Sequence, residues 1–86
     1  MNVYVEFELD DDRVTEQLKD LGYQVFEAPG GNRIRKNTHI KSVINEIVPI
    51  VEKAGINAWN LHIKEYRGEN AQLVSEYREG RIKSYS

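Results

Sequence analysis

Hydrophobic and polar residues alternate at the start of the chain. From Val3 to Leu9 the odd positions are apolar, whereas Tyr4, Glu6 and Glu8 fall between them. A period of two is typical of a strand that buries one face. The sequence therefore predicts a first strand over about residues 2–9.

A short stretch after this strand follows the helical period instead. Val14, Leu18 and Leu21 recur at spacings of four and three residues. Three aspartates at positions 10–12 can cap a helix before them, and Gly22 can end it. We expect a short amphipathic helix here.

A longer apolar stripe lies in the middle of the chain and predicts the main helix, over about residues 38–54. Asn37 or Thr38 is the expected N-cap. Pro49 lies inside the stripe and cannot donate a hydrogen bond to the carbonyl of Asn45, so we expect a kink or a break there. The residues of the stripe are Ile40, Val43, Ile44, Ile47, Val48 and Val51.

The remaining segments read as strands. Residues 23–28 are rich in strand formers, turn residues follow at 29–32, and residues 33–36 alternate again, which predicts a hairpin with a basic second arm. A strand over 59–66 places Trp59 on the same face as Leu61 and Ile63, as a core anchor. Residues 71–78 and 81–85 form a hairpin around a two-residue turn, Glu79–Gly80.

The predicted elements occur in the order β-α-β-β-α-β-β-β. This order indicates an α+β fold in which two helices pack on one face of a mostly antiparallel sheet of five to six strands. It permits a ferredoxin-like arrangement with one added terminal strand. Because the chain has 86 residues, residues 1–86 are expected to form a single compact domain.

Composition removes several classes of function. The absence of cysteine excludes disulfides, zinc–thiolate sites and cysteine nucleophiles. The histidines, His39 and His62, have no third ligand at a metal-binding spacing, and the serines lack a glycine elbow, so we expect no metal, no cofactor and no enzymatic activity. With no apolar run of about 18 residues and no signal-like start, we expect a cytoplasmic protein without membrane contact.

Charge is distributed unevenly along the chain. Residues 1–30 contain eight acids and two bases, whereas residues 31–86 contain ten bases and six acids. Such asymmetry can steer association with a charged partner. The net charge of −2 therefore hides an acidic first third and a basic remainder.

The strongest basic cluster lies between Gly30 and Lys41. A glycine pair, a helix N-terminus and several cations are the combination that binds phosphates. The helix N-terminus, aimed at the turn of residues 29–32, is expected to form an anion-binding corner with the basic arm. The alternative is an exposed edge strand on which bases prevent aggregation. The candidate ligands are Arg33, Arg35, Lys36, His39 and Lys41.

A second group combines tyrosines with bases on the later strands. Tyrosines beside cations on neighbouring strands can form a stacking platform for unpaired bases. The alternative is ordinary cross-strand charge pairing with the glutamates that lie between them. The residues are Tyr66, Arg67, Arg78, Arg81 and Tyr85.

Two functions follow from these patterns. The first is a non-catalytic nucleic-acid-binding module whose basic hairpin and helix N-terminus hold phosphates. The alternative is a small protein-interaction regulator or inhibitor, which binds a partner protein or a second copy of itself through an exposed strand edge or through its acidic N-terminal surface. That acidic surface consists of Glu6, Glu8 and the aspartates 10–12. The pI of about 5.7 slightly favours the alternative, because nucleic-acid-binding domains are commonly basic.

Overall fold

A computed structural model describes residues 2–85, which form six strands and two helices. The helices are α1 (Asp12–Asp20) and α2 (Ile40–Lys53), and a short 3-10 helix, Ala58–Asn60, follows α2. The predicted α+β class and the element order are confirmed. The strands are β1 (Val3–Leu9), β2 (Gln24–Ala28), β3 (Gly31–Lys36), β4 (His62–Arg67), β5 (Gln72–Arg78) and β6 (Arg81–Ser84).

The strands form one antiparallel sheet in the order β2-β3-β1-β4-β5-β6. Strand β1 lies between β3 and β4 and pairs with both. Each helix therefore connects two strands that have a third, antiparallel strand between them, which is the split connection of the ferredoxin-like arrangement. Beyond β4 the sheet continues with β5 and β6, so a whole hairpin is added where one strand was expected.

The hydrophobic core lies between the two helices and one face of the sheet. Val5, Ile34 and Ile63 supply fully buried side chains from three adjacent strands, and Leu18 and Ile47 supply them from α1 and α2. These residues are the ones that the alternating and helical patterns mark as apolar. The opposite face of the sheet carries the polar positions.

The two helices begin in different ways. Asp11 is the N-cap of α1, and its carboxylate accepts hydrogen bonds from the backbone N–H groups of Arg13 and Val14 at 3.0 and 3.2 Å. The N-cap of α2 is His39, whose side chain makes no capping hydrogen bond. The prediction of Asn37 or Thr38 as that cap is therefore wrong, because a side chain from β4 performs the capping, as described below.

Helix α2 passes through Pro49 without a break. Both Pro49 and Asn45, whose carbonyl loses its helical partner, are exposed. Water can satisfy that carbonyl, so the missing bond does not end the helix. Neither helix within residues 2–85 is long and apolar enough to cross a bilayer.

The prediction for Trp59 is wrong. This residue lies in the 3-10 helix, where Asn57 accepts a hydrogen bond from its backbone N–H at 3.0 Å, and its side chain is 57 % exposed. Strand β4 begins only at His62. The alternation of Trp59 with Leu61 and Ile63 thus runs across the junction between a helical turn and a strand.

The turn between β5 and β6 is confirmed. Arg78 and Arg81 face each other across a two-residue loop in which Glu79 and Gly80 have φ values of 52° and 74°. Positive φ at both loop positions defines a type I′ turn, which matches the twist of the paired strands. The hairpin is therefore a regular extension of the sheet.

Candidate functional site

The face of the sheet opposite the helices, here called the open face, has no covering element among residues 2–85. Side chains alternate across a pleated sheet, and the strand registers place six bases and three carboxylates on this face. The open face thus carries an excess of positive charge, although the whole chain has a net charge of −2. The bases are Arg33, Arg35, Lys64, Arg78, Arg81 and Lys83, and the carboxylates are Glu6, Glu8 and Glu76.

A continuous set of flat groups crosses four strands of the open face. The rings of Tyr66 and Tyr4 stack with centroids 5.2 Å apart and planes inclined by 25°. The guanidinium carbon of Arg35 lies 4.6 Å from the centroid of Tyr4 and 5.8 Å from that of Phe26. We call these four residues, Tyr66, Tyr4, Arg35 and Phe26, the aromatic row. At about 4.8 Å between strands, the row is roughly 14 Å wide.

Glu6 orients the two arginines of the open face. Its Oε2 accepts hydrogen bonds from Nη2 and Nε of Arg35 at 2.7 and 3.1 Å, and its Oε1 lies 3.4 Å from Nε of Arg33. The arginine side chains remain 38 and 53 % exposed, respectively. A guanidinium has five N–H donors, so each arginine keeps donors that Glu6 does not use. These donors are available to an external anion.

A shallow groove lies beside the aromatic row, between β1 and β4. Its volume is about 330 Å³, and its lining includes Tyr66, Lys64, His62, Glu6 and Glu8. Burial and the nearby carboxylate of Glu6 raise the pKa of Tyr66 above its ordinary value, which is already well above 7, so its phenol is neutral near pH 7. The groove therefore offers a neutral stacking surface next to hydrogen-bonding groups of both kinds.

A hydrogen-bonded cluster lies at the β5 side of the open face. The hydroxyl of Tyr85 donates to Oε2 of Glu76 at 2.6 Å, and Nε2 of His62 lies 2.8 Å from Oε1. The hydrogen bond from Tyr85, and to a smaller extent the bond from His62, lowers the pKa of Glu76. The carboxylate of Glu76 in turn raises the pKa of Tyr85. The ammonium of Lys83 lies 5.3 Å from the centroid of the Tyr85 ring. Glu76 is thus bonded within the chain and keeps its negative charge opposite Lys83, its partner in the register of β5 and β6.

The structure brings six of the ten predicted site residues onto the open face. The other four lie on the helix side of the sheet or at the N-terminus of α2. They are Lys36, His39, Lys41 and Arg67. The six on the open face are Arg33, Arg35, Tyr66, Arg78, Arg81 and Tyr85.

Lys36 is bonded within the helix side of the molecule. Its ammonium donates to the backbone carbonyl of Leu21 at 2.9 Å and lies 4.5 Å from the centroid of the Tyr23 ring. It also lies 3.5 Å from a carboxylate oxygen of Glu46. Lys36 therefore supports the packing of α1 and α2 and is not part of the open face.

The predicted anion-binding corner is not formed. The carboxylate of Glu65, only 5 % exposed, accepts a 2.7 Å hydrogen bond from the backbone N–H of Ile40 at the start of α2. The same carboxylate accepts a bond from Arg67 at 3.0 Å and lies 3.9 Å from Nδ1 of His39. The turn of residues 29–30 precedes β3 whereas α2 follows it, so the two lie at opposite ends of that strand. The carboxylate of Glu65 thus occupies the position at the N-terminus of α2 where the sequence predicted a bound phosphate.

Among the open-face residues that the sequence did not indicate as site residues are Tyr4, Phe26, Lys64 and Lys83. A signal for Tyr4 was present, since it falls on the polar positions of an alternating strand, where an aromatic ring stays accessible. Its contact with Tyr66 had no sequence signal, because it depends on the pairing of β1 with β4. Phe26 is 48 % exposed because its side chain also points to the open face, on the same side of the sheet as Arg33.

Comparison with known proteins adds no further assignment. No protein-family model matches the chain, and neither curated proteins nor solved structures gave a match. Within the described part of the chain, no three His, Cys, Asp or Glu side chains are grouped so that they could hold a metal ion.

Proposed function

We propose that the protein is a non-catalytic module that binds single-stranded nucleic acid on its open face. The aromatic row carries this proposal, because unpaired bases stack on aromatic rings and on guanidinium planes. Tyr4 is stacked between Tyr66 and Arg35, and Glu6 holds Arg35 in place, so a base would stack at the end of the row, on the side of Tyr66 that lines the groove. A binding surface of this kind loses little side-chain freedom when a strand binds.

Cations on one side of the aromatic row supply contacts for the phosphates. Arg33 pairs with Glu8 and Lys64 with Glu6, so both cations lie beyond the row in the direction of the C-terminal end of β1, where the phosphates of a stacked strand can pass along them. Arginine can hold phosphate oxygens in pairs, and lysine adds a point charge. The excess of bases on the open face supports the proposal despite the acidic pI.

The shape of the open face favours single strands over duplexes. Reading a duplex requires an element that enters a groove, such as a helix in the major groove. Strand β3, which carries Arg33 and Arg35, lies inside the sheet between β2 and β1 and does not project as an arm. An unpaired base can instead enter the groove and stack against the side of Tyr66 that lines it. A cytoplasmic location is part of this proposal.

The acidic surface of the alternative function has less support. Glu6 is paired with Arg35 and Arg33, and Asp11 is bonded to the N-terminus of α1. These carboxylates therefore lie on different sides of the molecule and are already bonded. These two carboxylates are therefore less available to the basic groove of a partner.

Fluorescence anisotropy with labelled 12-residue oligonucleotides tests the proposed function. The probes are one mixed DNA sequence as a single strand and as a duplex, and the same sequence as single-stranded RNA. We expect at least one single strand to bind more tightly than the duplex at 50 mM salt and to bind more weakly at 200 mM salt. Replacing Tyr66 or Tyr4 by leucine is expected to weaken binding about tenfold each.

Trp59→Leu is the matched control for the tyrosine variants. Trp59 is an exposed aromatic residue that contacts the β5–β6 turn near Gly80, at the end of β4 away from Tyr66. Its loss should leave affinity unchanged, and thermal unfolding should show that all variants are folded. The proposal fails if no single strand binds at low salt, or if Trp59→Leu weakens binding as much as Tyr66→Leu.

A further inference from the structure

Strand β6 forms one edge of the sheet, and its outer side has no neighbour within residues 2–85. The backbone N–H of Tyr85 donates to the carbonyl of Val74 at 2.8 Å, so the backbone of Tyr85 points inward to β5. Inward and outward groups alternate along an antiparallel strand. The N–H and C=O groups of Ile82 and Ser84 therefore point outward, where an added strand could bond to them.

The helix side of this edge is apolar. A groove of about 530 Å³ runs between α2 and the β5–β6 hairpin, lined mainly by Ile44, Val48, Pro49, Tyr77 and Ile82. Ile82 is 44 % exposed although its side chain points toward the helix side, opposite Tyr77. Alternate side chains of a strand added to β6 would enter this groove.

The other side of the same edge is basic. Arg81 and Lys83 lie on the open face and border a second depression of about 500 Å³. The lining of this depression contains three bases, Arg78, Arg81 and Lys83, and two carboxylates, Glu76 and Glu79, so positive charge is in excess. The remaining side chains of an added strand would therefore meet two cations.

We propose that the outer edge of β6 binds an extended segment of a partner protein in which acidic and apolar residues alternate. The open backbone groups of Ile82 and Ser84 supply the hydrogen bonds of β-augmentation. The apolar residues enter the groove beside α2, and the acidic residues face Arg81 and Lys83. This edge is distinct from the aromatic row, from which it is separated by β5, and it does not depend on the nucleic-acid proposal.

Charge complementarity excludes a second copy of the chain as the favoured occupant. Antiparallel pairing of two β6 strands would place Arg81 and Lys83 of both copies on the same face of adjacent strands. Like charges on neighbouring strands are destabilising. The carboxylates of an acidic segment would instead attract Arg81 and Lys83.

Titration of the isotope-labelled protein with a defined peptide, followed by NMR, tests the proposal. The probe is acetyl-Glu-Val-Glu-Leu-Glu-Val-Glu-amide. The controls are a peptide of the same composition with its glutamates grouped together, and a peptide in which lysine replaces glutamate. We expect the alternating acidic peptide alone to shift the amide signals of β6 and to protect those of Ile82 and Ser84 from hydrogen exchange.

Two protein variants separate the contributions of the two sides. Arg81→Glu combined with Lys83→Glu should weaken the acidic peptide about tenfold and strengthen the lysine peptide. Ile82→Thr, which keeps a strand-forming residue, should weaken the acidic peptide about fivefold. Because Ile82→Thr leaves the charges intact, it tests the groove even if the charge-reversed variant does not fold.

Several results would overturn the proposal. Absence of binding, equal binding of the peptide with grouped glutamates, or signal changes confined to β2 would each do so. Unchanged affinity in Ile82→Thr would contradict the proposal, because it would show that the groove does not bind the apolar residues of the peptide. Light scattering that shows a dimer broken by Ile82→Thr would instead assign the edge to a second copy.

Discussion

The carboxylate of Glu65 accepts a hydrogen bond from the backbone N–H of Ile40 at 2.7 Å, so a side chain of β4 caps α2. Arg67 donates to the other carboxylate oxygen at 3.0 Å. The N-terminal end of the helix dipole and the guanidinium both stabilise this negative charge, which is almost fully buried. The contact therefore fixes the helix to the sheet and explains why α2 begins without a local cap.

Replacing Glu65 by alanine should lower the free energy of unfolding by about 2–3 kcal/mol, because the N–H of Ile40 would be buried without an acceptor. Glu65→Gln keeps an acceptor but removes the charge, and should cost about 1 kcal/mol. Urea unfolding measures both changes. The control is Glu69→Ala, at an exposed position. Equal stability of the two alanine variants would contradict the proposed capping role.

The cluster around Glu76 predicts a dependence of stability on pH. Hydrogen bonds from Tyr85 and His62 lower the pKa of Glu76 in the folded state below its ordinary value of 4.5. A lowered carboxyl pKa contributes stability that is fully present above the unfolded-state pKa and is lost as the pH falls through the folded-state pKa. We therefore expect this contribution to disappear during acidification below about pH 4.5.

Tyr85→Phe tests this assignment, because the bond from Tyr85 is the largest cause of the shift. In the variant, the pKa of Glu76 measured by carbon NMR should rise toward 4.5, and acidification should lower the unfolding free energy less than in the unmodified protein. Tyr4→Phe, whose ring lies in the aromatic row, is the control. An unchanged Glu76 pKa in Tyr85→Phe would refute the prediction.

The arginines on β3 predict a change in the salt dependence of nucleic-acid binding. If Arg33 and Arg35 each hold one phosphate of a single strand, replacing both by alanine should reduce the slope of log affinity against log salt by about 0.7 per residue. Anisotropy titrations at several salt concentrations measure the slope. The control is Arg13→Ala, since that side chain is 87 % exposed on α1, away from the open face. An unchanged slope, or a large fall in melting temperature, would indicate a structural role instead.

Pro49→Ala should raise stability without changing nucleic-acid affinity. Alanine restores the N–H that can bond to the carbonyl of Asn45 in an uninterrupted helix, and proline costs up to about 3 kcal/mol relative to alanine inside a helix. Pro49 lies on the helix side, so the open face is unaffected. Urea unfolding and anisotropy of the same variant measure both properties. A loss of affinity would show that α2 contributes to binding.

The parts of the fold that were predictable depend on neighbours in sequence. Buried positions repeat every two residues along a strand and about every 3.6 residues along a helix. The strand at Val3–Leu9 and the helix around Ile40–Val51 could therefore be predicted from the local pattern alone. Trp59 shows the weakness of the same reasoning. Three alternating apolar residues do not indicate where a helical turn ends and a strand begins.

The candidate site was harder to predict because it depends on strand order. Tyr4 and Tyr66 are 62 positions apart in the sequence, and they meet only because β1 pairs with β4. The cap of α2 is similar, since Glu65 reaches Ile40 across 25 positions. Neither contact produces a local sequence pattern. The sequence could therefore indicate Tyr66 and the arginines as candidate site residues, but it could not show which of them lie together.

The type I′ turn between β5 and β6 predicts a stabilising substitution. Glu79 has a φ of 52°, a left-handed conformation that glutamate adopts less readily than asparagine, while Gly80 already suits its own φ of 74°. Glu79→Asn creates the Asn-Gly pair preferred in such turns, and should raise the free energy of unfolding by about 0.5–1 kcal/mol. Glu69→Asn is the matched control, because Glu69 does not have a positive φ. Urea unfolding of both variants checks the prediction, which is wrong if Glu79→Asn is no more stable than Glu69→Asn.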